Sequence, residues 1–283
     1  MKYLITGARG QLAKEFCKKI NKMAELDNNI QIKAYDSSYI DISHFPTVNT
    51  IMESYKPNVV INCASYNNVE FAEVDDSLAY QANVLGVANL SYSCNKIGAL
   101  LVHFSSDYVF DGMQEGVYVN AMLPYNETDC VNPINKYGLS KLQGEKMIQT
   151  LAERYLIFRT SWLYGNGNQN FVYKFLQWCQ ESYNVCVSDD EISVPTSCET
   201  VVDIVFKCLK FKDTLTSGLY HLTNSGMCSR YEFAKEIVRL KGLDNEVISA
   251  GSQKFNYLAK RPQFSAMDNK KIQEAFELTI PTW

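Results

Sequence analysis

The sequence predicts an α/β fold in which a parallel sheet carries helices on both faces and a smaller C-terminal lobe follows. Three observations carry this. Short β-branched runs recur through the first half, at Tyr3–Thr6, Ile30–Tyr35, Asn58–Cys63, Leu100–Ser105 and Leu156–Arg159. They are near-continuously apolar, as strands covered on both faces must be. Between the first two, Leu12, Phe16, Ile20 and Met23 recur at helical spacing and form a stripe that would face a sheet. Finally, the first strand runs straight into Gly7-Ala8-Arg9-Gly10, a glycine turn placed to open a helix.

The second half is less regular, but one helix in it is explicit. Ser229 caps it, Glu232 completes a capping box, Phe233, Ile237 and Leu240 form its apolar stripe, and Gly242 ends it. This divides the chain into a nucleotide-binding domain over residues 1–160 and a mainly substrate-binding lobe over 161–283, with segments free to cross back. The 283 residues, 46% hydrophobic and 20% charged, suffice for a sizeable core. A net charge of −4 gives no general attraction to nucleic acid or anionic membranes, so a bound anion needs a local set of donors. No apolar run is long enough for a signal peptide or a membrane span, which predicts a cytoplasmic protein. The nine cysteines are an odd number without a Cys-x-x-Cys pair and read as reduced thiols, mostly filling core. His44, His103 and His221 have no metal-ligand spacing, and no metal is expected.

The glycine turn has a specific chemical reading. Gly7 permits a tight turn, Gly10 lets backbone approach a pyrophosphate at the helix N-terminus, and Ala13 is small enough for close helix–strand packing. This is the fingerprint of a Rossmann-type, doubly wound dinucleotide-binding domain. Asp36 ends the second strand, where a carboxylate accepts hydrogen bonds from an adenosine ribose and favours NADH. Arg9, within the turn, would instead pair with a 2′-phosphate and favour NADPH, or stand as a solvated loop charge. Both readings stay open, and the cofactor expected is NADPH, with NADH the alternative.

The reacting groups come next. Tyr137 and Lys141 stand four apart, on one face of a helix. An ammonium beside a phenol lowers its pKa and eases proton exchange with a carbonyl oxygen. Upstream, the strand from Leu100 ends in Ser105-Ser106-Asp107-Tyr108, and a strand-end serine is well placed to hydrogen-bond the same oxygen. A Tyr-x-x-x-Lys pair alone is common; its order after a glycine fingerprint and a strand-end serine is what gives it weight.

With these features the chain resembles the extended short-chain dehydrogenases/reductases. The runs Gly10-Gln11-Leu12, Asp41-Ile42-Ser43, Val60-Ile61-Asn62-Cys63-Ala64, Ser105-Ser106-Asp107-Tyr108-Val109-Phe110-Asp111-Gly112, Arg159-Thr160-Ser161-Trp162-Leu163-Tyr164-Gly165, Pro195-Thr196 and Arg261-Pro262 are similar to the dTDP-4-dehydrorhamnose reductase family. The resemblance spans nearly the whole chain. It implies NAD(P)H-dependent reduction of the C4 keto group of a nucleotide-linked deoxysugar, with dTDP-4-dehydro-L-rhamnose the first choice. It implies that Ser106 orients the carbonyl, Tyr137 donates the proton, and Lys141 holds the nicotinamide ribose and tunes Tyr137. It places Gly7, Gly10, Gln11, Leu12, Asp41, Ile42, Ala64 and Asn83 on the cofactor, and Asp107, Tyr108 and Trp162 beside the sugar. Arg261 is the candidate diphosphate clamp, since a guanidinium forks onto phosphate oxygens.

Four departures from the family pattern bear on substrate and assembly. Asn67, Glu70 and Phe71 stand where relatives carry Thr, Asp and Lys near the sugar; Ser106 stands where many have Thr; and the loop from Met113 to Leu123 is longer. The chain also stops at Trp283, where relatives continue into a helix. Some relatives dimerise through a magnesium ion; Glu15 and Glu199 match two ligand positions, but the third would lie in that helix, so a monomer or a homodimer is expected without metal. Two alternatives remain open: a reductase of another NDP-4-keto-6-deoxyhexose, and a non-catalytic regulatory subunit of the same fold, resembling the β subunit of methionine adenosyltransferase.

Overall fold

The computed structural model describes residues 1–113, 123–211 and 217–283, so the longer loop expected between Met113 and Leu123 lies largely outside the described residues. The first half alternates as anticipated: β1 (Lys2–Thr6), α1 (Gln11–Leu26), β2 (Gln31–Tyr35), α2 (Phe45–Tyr55), β3 (Val59–Asn62), α3 (Val69–Val74), α4 (Ser77–Tyr80), α5 (Gly86–Ile97), β4 (Leu100–Ser106), α6 (Lys136–Leu151) and β5 (Tyr155–Thr160). A π-helical stretch, Gln81–Leu85, joins α4 to α5. The second half contains β6 (Leu163–Tyr164), α7 (Phe171–Glu181), β7 (Asn184–Ser188), β8 (Ile192–Ser193), β9 (Thr196–Ser197), α8 (Cys198–Leu209), β10 (Gly218–His221), β11 (Cys228–Ser229), α9 (Arg230–Lys241), β12 (Glu246–Ala250) and α10 (Lys270–Ala275).

Six strands form one parallel sheet in the order β10-β5-β4-β3-β1-β2. Four of the five apolar runs are covered on both faces; the exception is β2, which lies at the sheet edge and is largely exposed. Tyr3 and Ile5 of β1, Val59 and Ile61 of β3, and Leu156 and Phe158 of β5 join one core with α1 and α8. The alternate residues Leu4, Val60, Leu101 and Ile157 join the other, with α2, α5 and α6. The order reverses between β1 and β3, and ligands of such sheets bind outside the carboxyl ends of strands at that point.

Residues beyond 160 also build this layer. β10 forms the sheet edge beside β5, and α8 covers α1. The remaining elements make a lobe in which α7 and α9 pack on the β7–β12 pair around Phe175, Phe233 and Ile237. The capping box of α9 is present, with Ser229 accepting from the Glu232 N–H and the Glu232 carboxylate accepting from the Ser229 N–H at 2.7 Å. Leu240 departs from the expected stripe: it is 68% exposed in the last turn, while Ala234 is buried. Periodicity sets a residue's direction around the helix axis, not how far along that axis a partner surface extends. The cysteines are free thiols; Cys94, Cys198, Cys208 and Cys228 are buried, whereas Cys130 is exposed. No helix among the described residues is long and apolar enough to cross a membrane.

Candidate active site

A cleft opens over the carboxyl ends of β1, β3, β4 and β5, bounded by Gly10–Ala13, Asn62–Ser65, Phe104–Asp107, Tyr137, Lys141 and Thr160–Leu163. Its floor begins at Gly7. This residue has φ +69°, and a Cβ there would lie 2.6 Å from the Ala64 amide nitrogen, so β1 and β3 converge only with glycine. Gly10 is the N-cap of α1 and offers no side-chain cap, which leaves the first-turn N–H groups for an anion. Those donors fit a pyrophosphate by chemistry and by place.

The two conflicting cofactor signals meet in space. Arg9 Nε lies 2.7 Å from the Asp36 carboxylate, while Asp36 also accepts from the Ser38 hydroxyl at 2.5 Å and the Ser38 amide at 2.9 Å. Hydrogen bonds from Ser38, with Arg9 beside them, hold the Asp36 carboxyl below its usual range. Gln11 and Leu12 border the cleft, but the Gln11 side chain is spent on the second half, donating to the Leu163 carbonyl and accepting from Asn170. Asp41 closes its own turn by accepting from Ser43, and Ile42 is buried against Gly86. Asn83 is a clamp inside the fold: its carbonyl accepts from Ser65 and the Tyr66 amide, and its amide donates to the Tyr66 carbonyl and to Ser140.

The reacting groups converge from β4 and α6. Asn135 caps α6, accepting from the Gly138 N–H at 2.7 Å, and its amide donates to the Lys260 carbonyl. Gly138 then lets α6 rest on the turn after β4; a Cβ there would stand 2.1 Å from the Tyr108 carbonyl oxygen. This contact sets Tyr137 on the cleft wall together with Ser106. Tyr108 meets the Tyr137 ring edge-on, with centroids 5.9 Å apart.

Burial pushes the Tyr137 phenol up, the nearby Ser106 hydroxyl pulls it part-way back, and Asp107 and Tyr108 push it further up. Lys141 Nζ donates to the Phe104 carbonyl at 2.6 Å and to Ser65 Oγ at 3.4 Å. Burial brings its own pKa down to about 8, with Glu145 opposing. Glu145 lies one turn further along α6, clasped by Arg159 at 2.8 and 2.9 Å and by the Ser105 hydroxyl.

Among the sugar-side candidates, Asp107 is buried and bound by the hydroxyls of Ser106, Ser193 and Ser265, tying the end of β4 to β8 and the C-terminal segment. Arg261 stacks on Tyr257 at 3.6 Å and donates to Glu70 at 2.8 Å; its buried Nε has no partner among the described residues. Glu70 also accepts from the Leu258 and Ala259 amides and so fastens this segment to α3. Trp162 borders the cleft with φ +39°, a left-handed backbone that costs a non-glycine residue about 1–2 kcal/mol. Sequence reasoning gave no site role to Ser65, Thr160 and Ser161 on the cleft wall, although Thr160 and Ser161 stand in the run that precedes Trp162. Glu15 and Glu199 both face Lys18, and the described residues hold no group of three metal-ligating side chains.

Comparison with known proteins bears directly on this arrangement. The sequence profile of the RmlD substrate binding domain matches residues 1–283. The dTDP-4-dehydrorhamnose reductase of Aggregatibacter actinomycetemcomitans is 36% identical, covering 99% of this chain and 95% of its own length. The chain belongs to the dTDP-4-dehydrorhamnose reductase family. Membership makes it a nicotinamide-dependent oxidoreductase. Two solved members of the family share the fold described above. The reductase from Clostridium acetobutylicum superposes with a TM-score of 0.90 at 38% identity, covering 100% of this chain and 95% of that one. The reductase from Bacillus anthracis, solved with NADP, superposes with a TM-score of 0.91 at 32% identity and the same coverage.

Proposed function

We propose that this chain reduces the C4 keto group of a nucleotide-linked 6-deoxysugar with NADPH, dTDP-4-dehydro-L-rhamnose being the first candidate. The observation that carries the reading is the convergence of Ser106, Tyr137 and Lys141 at the mouth of the glycine-floored cleft. A bound nicotinamide ring supplies the hydride. Everything else falls to this chain's residues. The amides opening α1 hold the pyrophosphate, and Arg9 leaves Asp36 for a 2′-phosphate. Lys141, charged at neutral pH and aimed across the cleft floor, holds the nicotinamide ribose.

Ser106 and Tyr137 act on the sugar. Both residues line the cleft in which the carbonyl would sit. A phenol kept protonated by burial is suited to give its proton to the oxygen as negative charge grows there. Trp162 stands on the lobe side of the cleft, and Arg261, whose buried Nε has no partner among the described residues, is the candidate for the diphosphate.

The test is oxidation of NADPH, and separately of NADH, by the purified protein with dTDP-4-dehydro-L-rhamnose generated in situ. Rapid oxidation that vanishes in Tyr137→Phe supports the reading. A protein that binds NADPH yet turns over no nucleotide-linked 4-ketosugar refutes it.

A further inference from the structure

Trp162 borders the cleft in a strained pose, and the structure shows what holds it there. Its backbone is left-handed, with φ +39°. The flanking hydrogen bonds fix the chain rather than the ring: Ser161 Oγ donates to the Val194 carbonyl at 2.7 Å, and the Trp162 carbonyl accepts from the Thr196 amide at 3.3 Å. The indole itself lies under the guanidinium of Arg230, 3.7 Å from guanidinium carbon to ring centroid. The same guanidinium carbon lies 5.0 Å from the centroid of the Phe171 ring.

Arg230 is built to stay put. It is the first residue of α9, directly after the capping-box serine, and its N–H donates to the Glu191 carbonyl at 3.1 Å. Its neighbours Cys228 and Ser229 pair with Ser193 and Ile192, so α9 starts from a strand pairing beside the site. The side chain is 14% exposed, and Glu191, buried at 5%, faces it at 3.7 Å. That carboxylate offsets the positive charge, so the feature Arg230 presents to Trp162 is a flat, immobile plane.

We propose that Arg230 is a positioning residue of the sugar pocket, its guanidinium plane pinning the Trp162 indole in the pose in which it walls the ketosugar. This rests on the reductase reading above. Arg230 is not among the residues that line the cleft. Removing it therefore affects ketosugar binding and leaves the chemical step and the cofactor in place.

Two variants and a structure test this. Arg230→Met removes plane and charge, and Arg230→Lys keeps the charge while losing the plane. In both, KM for the nucleotide ketosugar should rise about tenfold, with kcat and NADPH affinity close to wild type. An unchanged KM in Arg230→Met overturns the proposal, as does wild-type behaviour of Arg230→Lys, which would make charge the operative feature. Arg230→Lys also serves if the Met variant does not fold. Should wild-type protein reduce no ketosugar, the reductase reading fails by itself. The pose is then judged from a crystal structure of Arg230→Lys: a displaced indole supports the proposal, and an unmoved left-handed Trp162 overturns it.

Discussion

At the scale of single residues, the site combines one phenol and one ammonium, and burial acts on them in opposite directions. Tyr137 is held protonated and Lys141 is pushed toward losing its proton, to about 8. Tyr137→Phe should lower turnover by about 10²–10⁴-fold and leave cofactor affinity unchanged, checked by steady-state rates beside a fluorescence titration with NADPH. Burial disfavours the charged form of Lys141. Its folded pKa is depressed below the unfolded value, so at neutral pH both states are charged and the burial penalty is fully present. Lys141→Met should then melt higher than wild type, by up to about 3 kcal/mol of stability at pH 7, while losing activity. The gap should close as pH rises from about 8 to 10.5, because the native wild-type protein sheds a proton that its unfolded chain keeps. Thermal melts of both proteins across that range decide it. Arg9→Ala should raise KM for NADPH about tenfold, one lost charge-assisted contact, and spare NADH; equal losses with both cofactors would leave Arg9 merely a partner of Asp36.

Among the elements, α6 decides the site, since it carries Tyr137, Lys141 and Glu145 and must approach β4 closely. Gly138 permits that approach by leaving room for the Tyr108 carbonyl. Gly138→Ala puts a methyl against backbone, which cannot rotate away. The variant should lose about 1–3 kcal/mol by denaturant unfolding and, with Tyr137 displaced, about 100-fold in kcat. The elements also mark how far sequence reasoning reached. α1 and the cap of α9 were legible because a helix announces its face and ends within a few residues. β10 was not: Leu219-Tyr220-His221 has no period of its own, and only its place beside β5 makes it a strand.

At the level of the whole molecule, one buried network ties the halves together. Arg159 of β5 clasps Glu145 of α6, and His221 of β10 lies 3.5 Å from Arg159. Arg159 and Glu145 have side chains 5% and 2% exposed. Glu145→Gln leaves a buried guanidinium underpaired and should cost roughly 3–5 kcal/mol, read as a lower midpoint in urea. Glu145→Leu combined with Arg159→Met should recover much of that loss, because the two charges leave the interior together.

What the sequence by itself determined is whatever lies within a few residues along the chain. The strand-turn-helix at Gly7–Gly10, the Tyr137/Lys141 spacing, the serine ending β4 and the capping box at Ser229 are local patterns with local physics. Tertiary structure alone decided what those residues meet. It brought Arg9 onto Asp36 and turned two contradictory cofactor signals into one ion pair. It set the Lys141 ammonium on the Phe104 carbonyl, gave Asn83 and Asp107 partners inside the fold, and laid Arg230 over Trp162. It also joined Arg261 to Glu70 across 191 residues of chain. Such pairings leave no mark in local periodicity, because each partner's own neighbourhood is satisfied without the other. Only the packing of elements far apart in the chain sets the distance between them.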